Sequence, residues 1–344
     1  MVTKAVLVTG GGGVGKTTVS AALGVTAARA GVRTLVITVD PAKRLATALG
    51  LDTLGSEPHP HPDEDNLWAA MIDASASWQA LAHRHADPDI ADRLVENRFF
   101  AAATSHFPAS QSYAAAEEAA RFLDAGAWEL VVIDTPPAAG GLEFFTAPAE
   151  MTDLIGGRLL RWITGGRLPG RKFFFDRAAR PVLRIADHVL GAGLLEDIAK
   201  FLIDMRTTYD GIARRSREIE AYLKKAATVV VTTADPAPIR EAVRMFRGLP
   251  DVAKRPVAVI FNRTLPTEWA HAKPGKTTAA LRDNLARWGA EALRQNDLRE
   301  EFASRYRTQL ADIPWQAHAP TDLDSLAALI DDAQGFDLRR LIRS

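Results

Sequence analysis

Short runs of apolar, largely β-branched residues recur along the chain, and longer segments with helical spacing separate them. The five clearest runs are Ala5–Thr9, Thr34–Val39, Trp128–Asp134, Ala227–Thr233 and Pro256–Asn262. Because these runs are apolar at consecutive positions and not at alternate ones, they predict strands that are buried on both faces, as in a parallel sheet. Weaker patterns at Leu67–Ile72 and Gln309–Ile313 predict two further strands.

The segments between these runs predict helices. Thr17–Ala30 has Ala, Val and Leu at helical spacing, and Gly31 marks its end. Another helix is expected to start at Asp40-Pro41, since proline is favoured near the first helical position. A terminal helix is expected at Asp322–Ala333. The alternation of strands and helices predicts an α/β fold whose mainly parallel central sheet is flanked by helices.

One long stretch lacks any strand pattern. Residues 147–225 have helical periodicity and predict a helical subdomain, inserted into a domain that residues 1–146 and 226–344 form together. A smaller helical region, residues 75–125, precedes the third clear strand. Glu57–Asp65, in which His and Pro alternate, is expected to be a surface loop.

The composition excludes several classes of protein and site. The 344 residues include 42 Lys or Arg and 42 Asp or Glu, so the formal net charge is zero and indicates neither nucleic acid nor an anionic membrane as the main partner. Cysteine is absent, which excludes disulfides, thiolate metal sites and a cysteine nucleophile. No apolar run approaches the ~18 residues of a membrane-spanning helix. The sequence therefore predicts a soluble, cytoplasmic protein.

The first strand runs directly into a glycine-rich loop. Its residues fit the pattern G-x-x-x-x-G-K-[ST] and are Gly10, Gly11, Gly12, Gly13, Val14, Gly15, Lys16 and Thr17, with Thr18 adjoining them. In such a loop the backbone N–H groups surround a phosphate, and the helix that follows points its positive end at the same anion. Lys16 is expected to reach the β- and γ-phosphates, and the Thr17 hydroxyl to ligate Mg²⁺. The motif predicts a P-loop nucleotide-binding domain that takes ATP with Mg²⁺.

Two aspartates stand at the ends of predicted strands. Asp134 is expected to support the magnesium ion, directly or through water, because open α/β sheets place their sites at the carboxyl ends of strands. The segment 135–141 that follows has the composition expected of a γ-phosphate sensor. Asp40 has two interpretations that the residues alone leave about even. It either orients the water that attacks the γ-phosphate or caps a helix.

Three segments together resemble a known family. They are Gly-Gly-Val-Gly-Lys-Thr-Thr (12–18), Val-Asp-Pro-Ala-x-x-Leu (39–45) and Val-Ile-Asp-Thr-Pro-Pro (132–137). In this order and spacing they look like the ArsA-type anion-transporting ATPase family, and the resemblance extends over nearly the whole chain. That family includes arsenite-pump ATPases and the ATPase that delivers tail-anchored membrane proteins.

The resemblance implies an ATPase that dimerises face to face around two nucleotides, as a homodimer or with a paralogous ATPase. It implies that Asp40 is the hydrolytic aspartate, that residues 134–141 form a nucleotide-sensing switch, and that Asn262 reads adenine. Asn262 has a second interpretation, as a residue that caps a loop. In the family the inserted helices can carry a groove for hydrophobic protein cargo. We favour the alternative that the apolar faces of these helices pack onto the sheet.

The chain departs from the family pattern at Gly11, where the family usually has a lysine that reaches the partner's nucleotide. Either that contact is lost, or Lys43 or Arg44 supplies the cation, unless both belong to a solvated helix face. Without cysteine, the chain has neither a zinc clamp for a homodimer nor a thiolate site for arsenite. It also has one P-loop, whereas arsenite-pump subunits usually have two.

The sequence thus predicts a dimeric ATPase switch coupled to a protein or membrane-associated partner. One alternative is a positioning ATPase of the ParA/MinD kind, which would need a membrane-targeting tail or a basic face for DNA. A second alternative is a module that binds ATP without hydrolysing it and serves as the structural partner of an active paralogue.

Overall fold

The computed structural model describes residues 3–39, 44–106, 108–136, 142–156, 200–201, 203–271 and 276–343. Asp40 and Lys43 lie outside these ranges, as do residues 137–141 of the expected switch and residues 157–199 of the expected inserted subdomain.

The chain divides into two compact units. The first comprises residues 1–73, 118–145 and 221–344, and the second comprises residues 74–117 and 146–220.

The first unit is built on a nine-stranded sheet. Its strands are β1 (Lys4–Gly10), β2 (Thr34–Thr38), β3 (His59–His61), β4 (Glu64–Met71), β5 (Leu130–Asp134), β6 (Ala227–Thr232), β7 (Ala258–Thr264), β8 (Leu310–Pro314) and β9 (Gln334–Gly335). The strand order is β3-β4-β2-β5-β1-β6-β7-β8-β9. All neighbours pair in parallel except at the two edges, where β3–β4 and β8–β9 are antiparallel. The expected α/β fold with a mainly parallel sheet is confirmed.

Helices of the first unit lie on both faces of this sheet. The described helices of the two units together are α1 (Lys16–Arg29), α2 (Arg44–Ala48), α3 (Ala74–His85), α4 (Pro88–Glu96), α5 (Arg98–His106), α6 (Pro108–Asp124), α7 (Glu143–Gly156), α8 (Tyr209–Lys225), α9 (Pro236–Val252), α10 (Ala279–Tyr306), α11 (Leu323–Asp331) and α12 (Arg340–Arg343), with a 3₁₀ helix at Thr267–His271. On one face, alternate strand residues such as Val6 and Val8 share a buried cluster with α1 and α11. On the other, Phe261 of β7 packs edge-on against Phe302 of α10, with 5.8 Å between ring centroids.

The expected surface loop at Glu57–Asp65 is wrong. Residues 59–61 form the edge strand β3, which pairs with β4. Pro60 is compatible with an edge strand because one side of such a strand needs no hydrogen-bond partner. His61 is buried, and its Nε2 lies 2.8 Å from the Leu49 carbonyl oxygen, which ties this edge to the segment after α2.

The second unit contains helices and no strand among its described residues. At its centre the aromatic ring of Trp78 stacks on Tyr113, with 5.3 Å between centroids. Glu117 is also buried there and accepts hydrogen bonds from Arg84 and Arg215. In neither unit is any described helix both long enough and apolar enough to cross a lipid bilayer.

Candidate functional site

The glycine-rich loop connects the end of β1 at Gly10 to the start of α1 at Lys16. Gly15 precedes the helix with a φ of 98°, in the left-handed region that favours glycine. A Cβ added at this position would overlap the side-chain amide of Asn262. The glycine is therefore required both by its backbone angle and by the close approach of β7.

Lys16 is held inside the loop. Its side chain is 7% exposed, and its ammonium group donates a hydrogen bond of 2.7 Å to the Gly11 carbonyl oxygen. The loop thus places a lysine ammonium beside the first turn of α1, whose N–H groups have no partners within the helix. Both features favour a bound anion.

A cavity of about 410 Å³ opens in front of the loop, at the carboxyl ends of the central strands. Its lining residues are Gly13, Gly15, Lys16, Thr17, Thr18, Arg44, Thr47, Ala48, Asp134, Thr135, Arg263 and Pro320. Of the expected phosphate-binding residues, the cavity thus brings together Gly13, Gly15, Lys16, Thr17 and Thr18 with Asp134 and Arg44. Thr135 belongs to the segment 135–141 that was expected to sense the γ-phosphate, whereas sequence reasoning missed the contributions of Thr47, Ala48, Arg263 and Pro320.

Two hydroxyl groups meet at one carboxylate oxygen of Asp134. The Thr17 hydroxyl donates to Asp134 Oδ2 at 2.7 Å, and the Thr38 hydroxyl donates to the same oxygen at 2.8 Å. The sheet topology explains both contacts, because β5 lies between β1 and β2. Thr38 stands opposite Asp134 in the register of β2 and β5, and Thr17 belongs to the helix that follows β1. Asp134 is 1% exposed, so these contacts define its position.

The donor set at this point suits Mg²⁺. Hydroxyl and carboxylate oxygens are its preferred protein ligands, and it is commonly bound by one or two of them together with nucleotide phosphates and water. Thr17 and Asp134 are such a pair and face the same cavity. The described residues contain no cluster of three His, Cys, Asp or Glu that could hold a metal ion without a bound nucleotide.

Asn262 connects β7 to the loop. Its Nδ2 donates to the Val14 carbonyl oxygen at 2.9 Å, and its Oδ1 accepts from the Arg263 backbone N–H at 3.0 Å. Arg263 has a φ of 60°, and the register between β7 and β8 shifts at this residue. The shift brings Arg263, and not Asn262, into the lining of the cavity. The adenine-reading role of Asn262 stays a prediction.

A glutamate occupies the space beside Gly11. A Cβ added to Gly11 would overlap the carboxylate of Glu241, which belongs to α9. In the sequence the two residues are 230 positions apart, and no local pattern indicates their contact. Any side chain at Gly11 would have to displace this carboxylate.

Of the two candidate cations near Asp40, the structure describes Arg44, which lines the cavity of its own chain. Asp40 and Lys43 lie in the part of the chain that is not described, so their roles stay predictions.

Comparison with known proteins shows the family of the chain. Residues 3–287 match the model of a family described as anion-transporting ATPases. The chain belongs to this family. The match includes the glycine-rich loop, Asp134 and Asn262, and it confirms the resemblance expected from the three sequence segments.

Individual proteins align over parts of the chain. An uncharacterized protein of Streptomyces coelicolor is 32% identical over 77% of this chain and 63% of its own length. A Chlorobaculum tepidum protein named as an arsenical pump-driving ATPase is 24% identical over 76% of this chain and 61% of its own length. The protein named ATPase GET3 of Ajellomyces dermatitidis is 29% identical over 48% of this chain and 52% of its own length. The chain thus spans less than two thirds of the length of these relatives.

Proposed function

We propose that this member of the family binds Mg-ATP in the cavity and hydrolyses it. The observation that carries the proposal is the meeting of Thr17 and Thr38 on the buried carboxylate of Asp134, directly beside the Lys16 loop. A glycine-rich turn without a nucleotide would not require a buried lysine, a hydroxyl and a strand-end carboxylate in one cavity. Membership of a family of ATPases supports the same conclusion.

In this proposal each residue has one task. Lys16 and the loop N–H groups bind the β- and γ-phosphates, and Thr17 and Asp134 hold Mg²⁺. When bound, Mg²⁺ neutralises phosphate charge that develops during transfer. Asp40 orients the attacking water, a task that its position just after β2 supports. From β7, Arg263 approaches the nucleotide, and Asn262 supports the loop at Val14.

We further propose that two protomers, identical or paralogous, close around their nucleotides and pass this state to a protein or membrane-associated partner. The names of the relatives, arsenical pump-driving ATPase and ATPase GET3, are compatible with such coupling. The absence of cysteine argues against a thiolate arsenite site in this chain. Arg44 is the described candidate for the cation that Gly11 does not provide.

ATP turnover by the purified protein and by its Asp40→Asn variant tests the function. We expect steady phosphate release by the natural protein and a loss of about a hundredfold in the variant, because the amide cannot accept a proton from the attacking water. Nucleotide binding, measured with a fluorescent ATP analogue, should be retained.

Asp52→Asn is the matched control, because it makes the same chemical change at an exposed carboxylate. It should leave turnover unchanged. Phosphate release that is absent from both the natural protein and Asp40→Asn, with ATP binding intact, would instead identify a nucleotide-binding module without hydrolysis.

The Thr38 hydroxyl gives a second prediction at the same site. Thr38→Val removes one of the two hydroxyls that hold Asp134 Oδ2, and Val has nearly the same shape as Thr. We expect the Mg²⁺ concentration that half-saturates nucleotide binding to rise roughly tenfold, since a hydrogen bond to a buried charge contributes about 1.5 kcal/mol. A Mg²⁺ titration of analogue fluorescence measures this concentration.

Thr38→Ser serves as the rescue, because it restores the hydroxyl, and binding measured in a chelator should be equal in all three proteins. Two results would show that Thr38 acts on packing and not on the position of Asp134. One is a half-saturating Mg²⁺ concentration that rises in both variants, and the other is nucleotide binding that is lost even in the chelator.

A further inference from the structure

A second cavity lies in the first unit, between α9 and the end of α10, and has a volume of about 580 Å³. Its lining residues are Ile239, Arg240, Val243, Arg244, Arg247, Arg305 and Tyr306. We call this cavity the arginine groove. None of its residues belongs to the nucleotide cavity or follows from the sequence motifs.

The arginine groove has a charged side and an apolar side. Arg240, Arg244 and Arg247 recur at positions i, i+4 and i+7 of α9, so they share one helix face. All three are exposed, as is Arg305, whereas Ile239 and Val243 are half-buried beside them. The guanidinium groups therefore stand at the rim, and the apolar side chains lie deeper.

The four arginines have no carboxylate partner among the described residues of the chain. Other arginines of α10 do have one. Arg294 pairs with Glu291 at 2.5 Å, and Arg299 pairs with Asp312 at 3.1 Å. The charge of the arginine groove, which three arginines of α9 and one of α10 provide, thus has no compensating carboxylate, and an anionic partner would relieve the repulsion between its guanidinium groups.

The wall of the arginine groove is rigid. The ring of Tyr306 lies 4.7 Å from that of Phe302 and 5.4 Å from that of Phe246, measured between centroids. Both phenylalanines belong to the core, with exposures of 3% and 6%. A partner would therefore meet a preformed surface, which lowers the entropy lost on binding.

We propose that the arginine groove binds an acidic segment of a partner protein. Its Asp or Glu side chains would pair with Arg240, Arg244 and Arg247, and one or two apolar side chains would fill the space beside Ile239 and Val243. Planar guanidinium groups match carboxylates with two parallel hydrogen bonds, which suits a site that contains arginine and no lysine.

The geometry favours a peptide over other anions. Membrane-binding surfaces present apolar side chains that project into the lipid, whereas here these side chains lie deeper than the charged ones. Nucleic-acid surfaces usually extend a basic stripe along the whole ligand, whereas the net charge of this chain is zero.

The test is a titration of the full-length protein, without nucleotide, by dye-labelled helical peptides followed by fluorescence anisotropy. One peptide series has Glu at i, i+4 and i+7 and Leu between, and the reference series has Gln in place of each Glu. The variant is Arg240→Glu with Arg244→Glu. The control is Arg282→Glu with Arg287→Glu, which makes the same charge change on the exposed part of α10.

We expect saturable binding of Glu peptides that weakens at least about tenfold in the groove variant and for Gln peptides, while the control variant binds normally. Equal weakening in both variants would overturn the proposal, because it would show a non-specific charge effect. The proposal would also be overturned if a single-stranded oligonucleotide or phosphatidylserine vesicles bound more tightly than the Glu peptides and this binding depended on Arg240 and Arg244. No saturable binding of any Glu peptide by the folded natural protein would also overturn it. These outcomes do not depend on ATP hydrolysis.

Discussion

Replacing Lys16 by alanine should lower ATP turnover by about a thousandfold or more. The ammonium group is nearly buried and bound to the loop at Gly11, so it acts in a cavity with little water to screen its charge. Positive charge placed on the transferred phosphoryl group contributes rate factors of about 10³–10⁵ in this type of reaction. Phosphate release at saturating Mg-ATP measures the effect, and the affinity for a fluorescent ATP analogue should fall as well.

Lys225→Ala is the matched control for this prediction, because Lys225 is exposed at the end of α8. It should hydrolyse ATP at the natural rate. Turnover that stays within a few-fold in Lys16→Ala would contradict the proposed phosphate contact, even if the family membership stands. A variant that loses turnover but also fails to fold, as judged by circular dichroism, would be replaced by Lys16→Met, which keeps the aliphatic part of the side chain.

The strands of the central sheet could be predicted because each carries its own signal. β1, β2, β5, β6 and β7 each contain a run of at least three consecutive apolar residues, as is typical of parallel strands buried on both faces. Their order could not be predicted, because β5 enters between β2 and β1, which are separated from it by about a hundred residues. Neighbours that are distant in sequence leave no local pattern.

The same distinction applies to the site. The loop from Gly10 to Thr17 was predictable because its chemistry depends on the spacing of adjacent residues. Asp134 was predictable from its place at the end of a strand. Thr38 was not, because its role depends on standing opposite Asp134 in the register of β2 and β5. The position of Glu241 was not predictable either, because this residue reaches Gly11 from a distant part of the chain.

The edge strand β3 shows where local preferences mislead. Alternating His and Pro are typical of a loop, yet residues 59–61 pair with β4. The buried hydrogen bond between His61 and the Leu49 carbonyl oxygen stabilises this arrangement, and its partner lies outside the strand. Tertiary contacts therefore decide the conformation of this segment.

The second unit has a buried charge whose importance the sequence did not indicate. Glu117 of α6 is 1% exposed and accepts a hydrogen bond of 2.5 Å from Arg84 of α3 and another of 2.5 Å from Arg215 of α8. The carboxylate thus joins three helices. Burial and the charges of the neighbouring arginines lower the pKa of His85, which disfavours its charged form.

Glu117→Ala should lower the free energy of unfolding by about 3–5 kcal/mol. The substitution removes the shared carboxylate and leaves Arg215, whose side chain is 13% exposed, with a charge that has lost its main buried partner. Breaking a buried pair at one side costs this much because the remaining charge keeps its desolvation penalty. Urea unfolding followed by circular dichroism measures the change.

Arg84→Ala is the variant for comparison, since Arg84 pairs with the same carboxylate but lies on its solvent-exposed side. The Arg84 side chain is 44% exposed, so water can replace part of its contact, and the expected loss is about 1 kcal/mol or less. Glu117→Gln should fall between the two variants, because the amide keeps the shape and one acceptor but loses the charge. If Glu117→Ala cost no more than Arg84→Ala, the three helices would be joined by their apolar contacts, such as that of Trp78 with Tyr113, and not by the buried carboxylate.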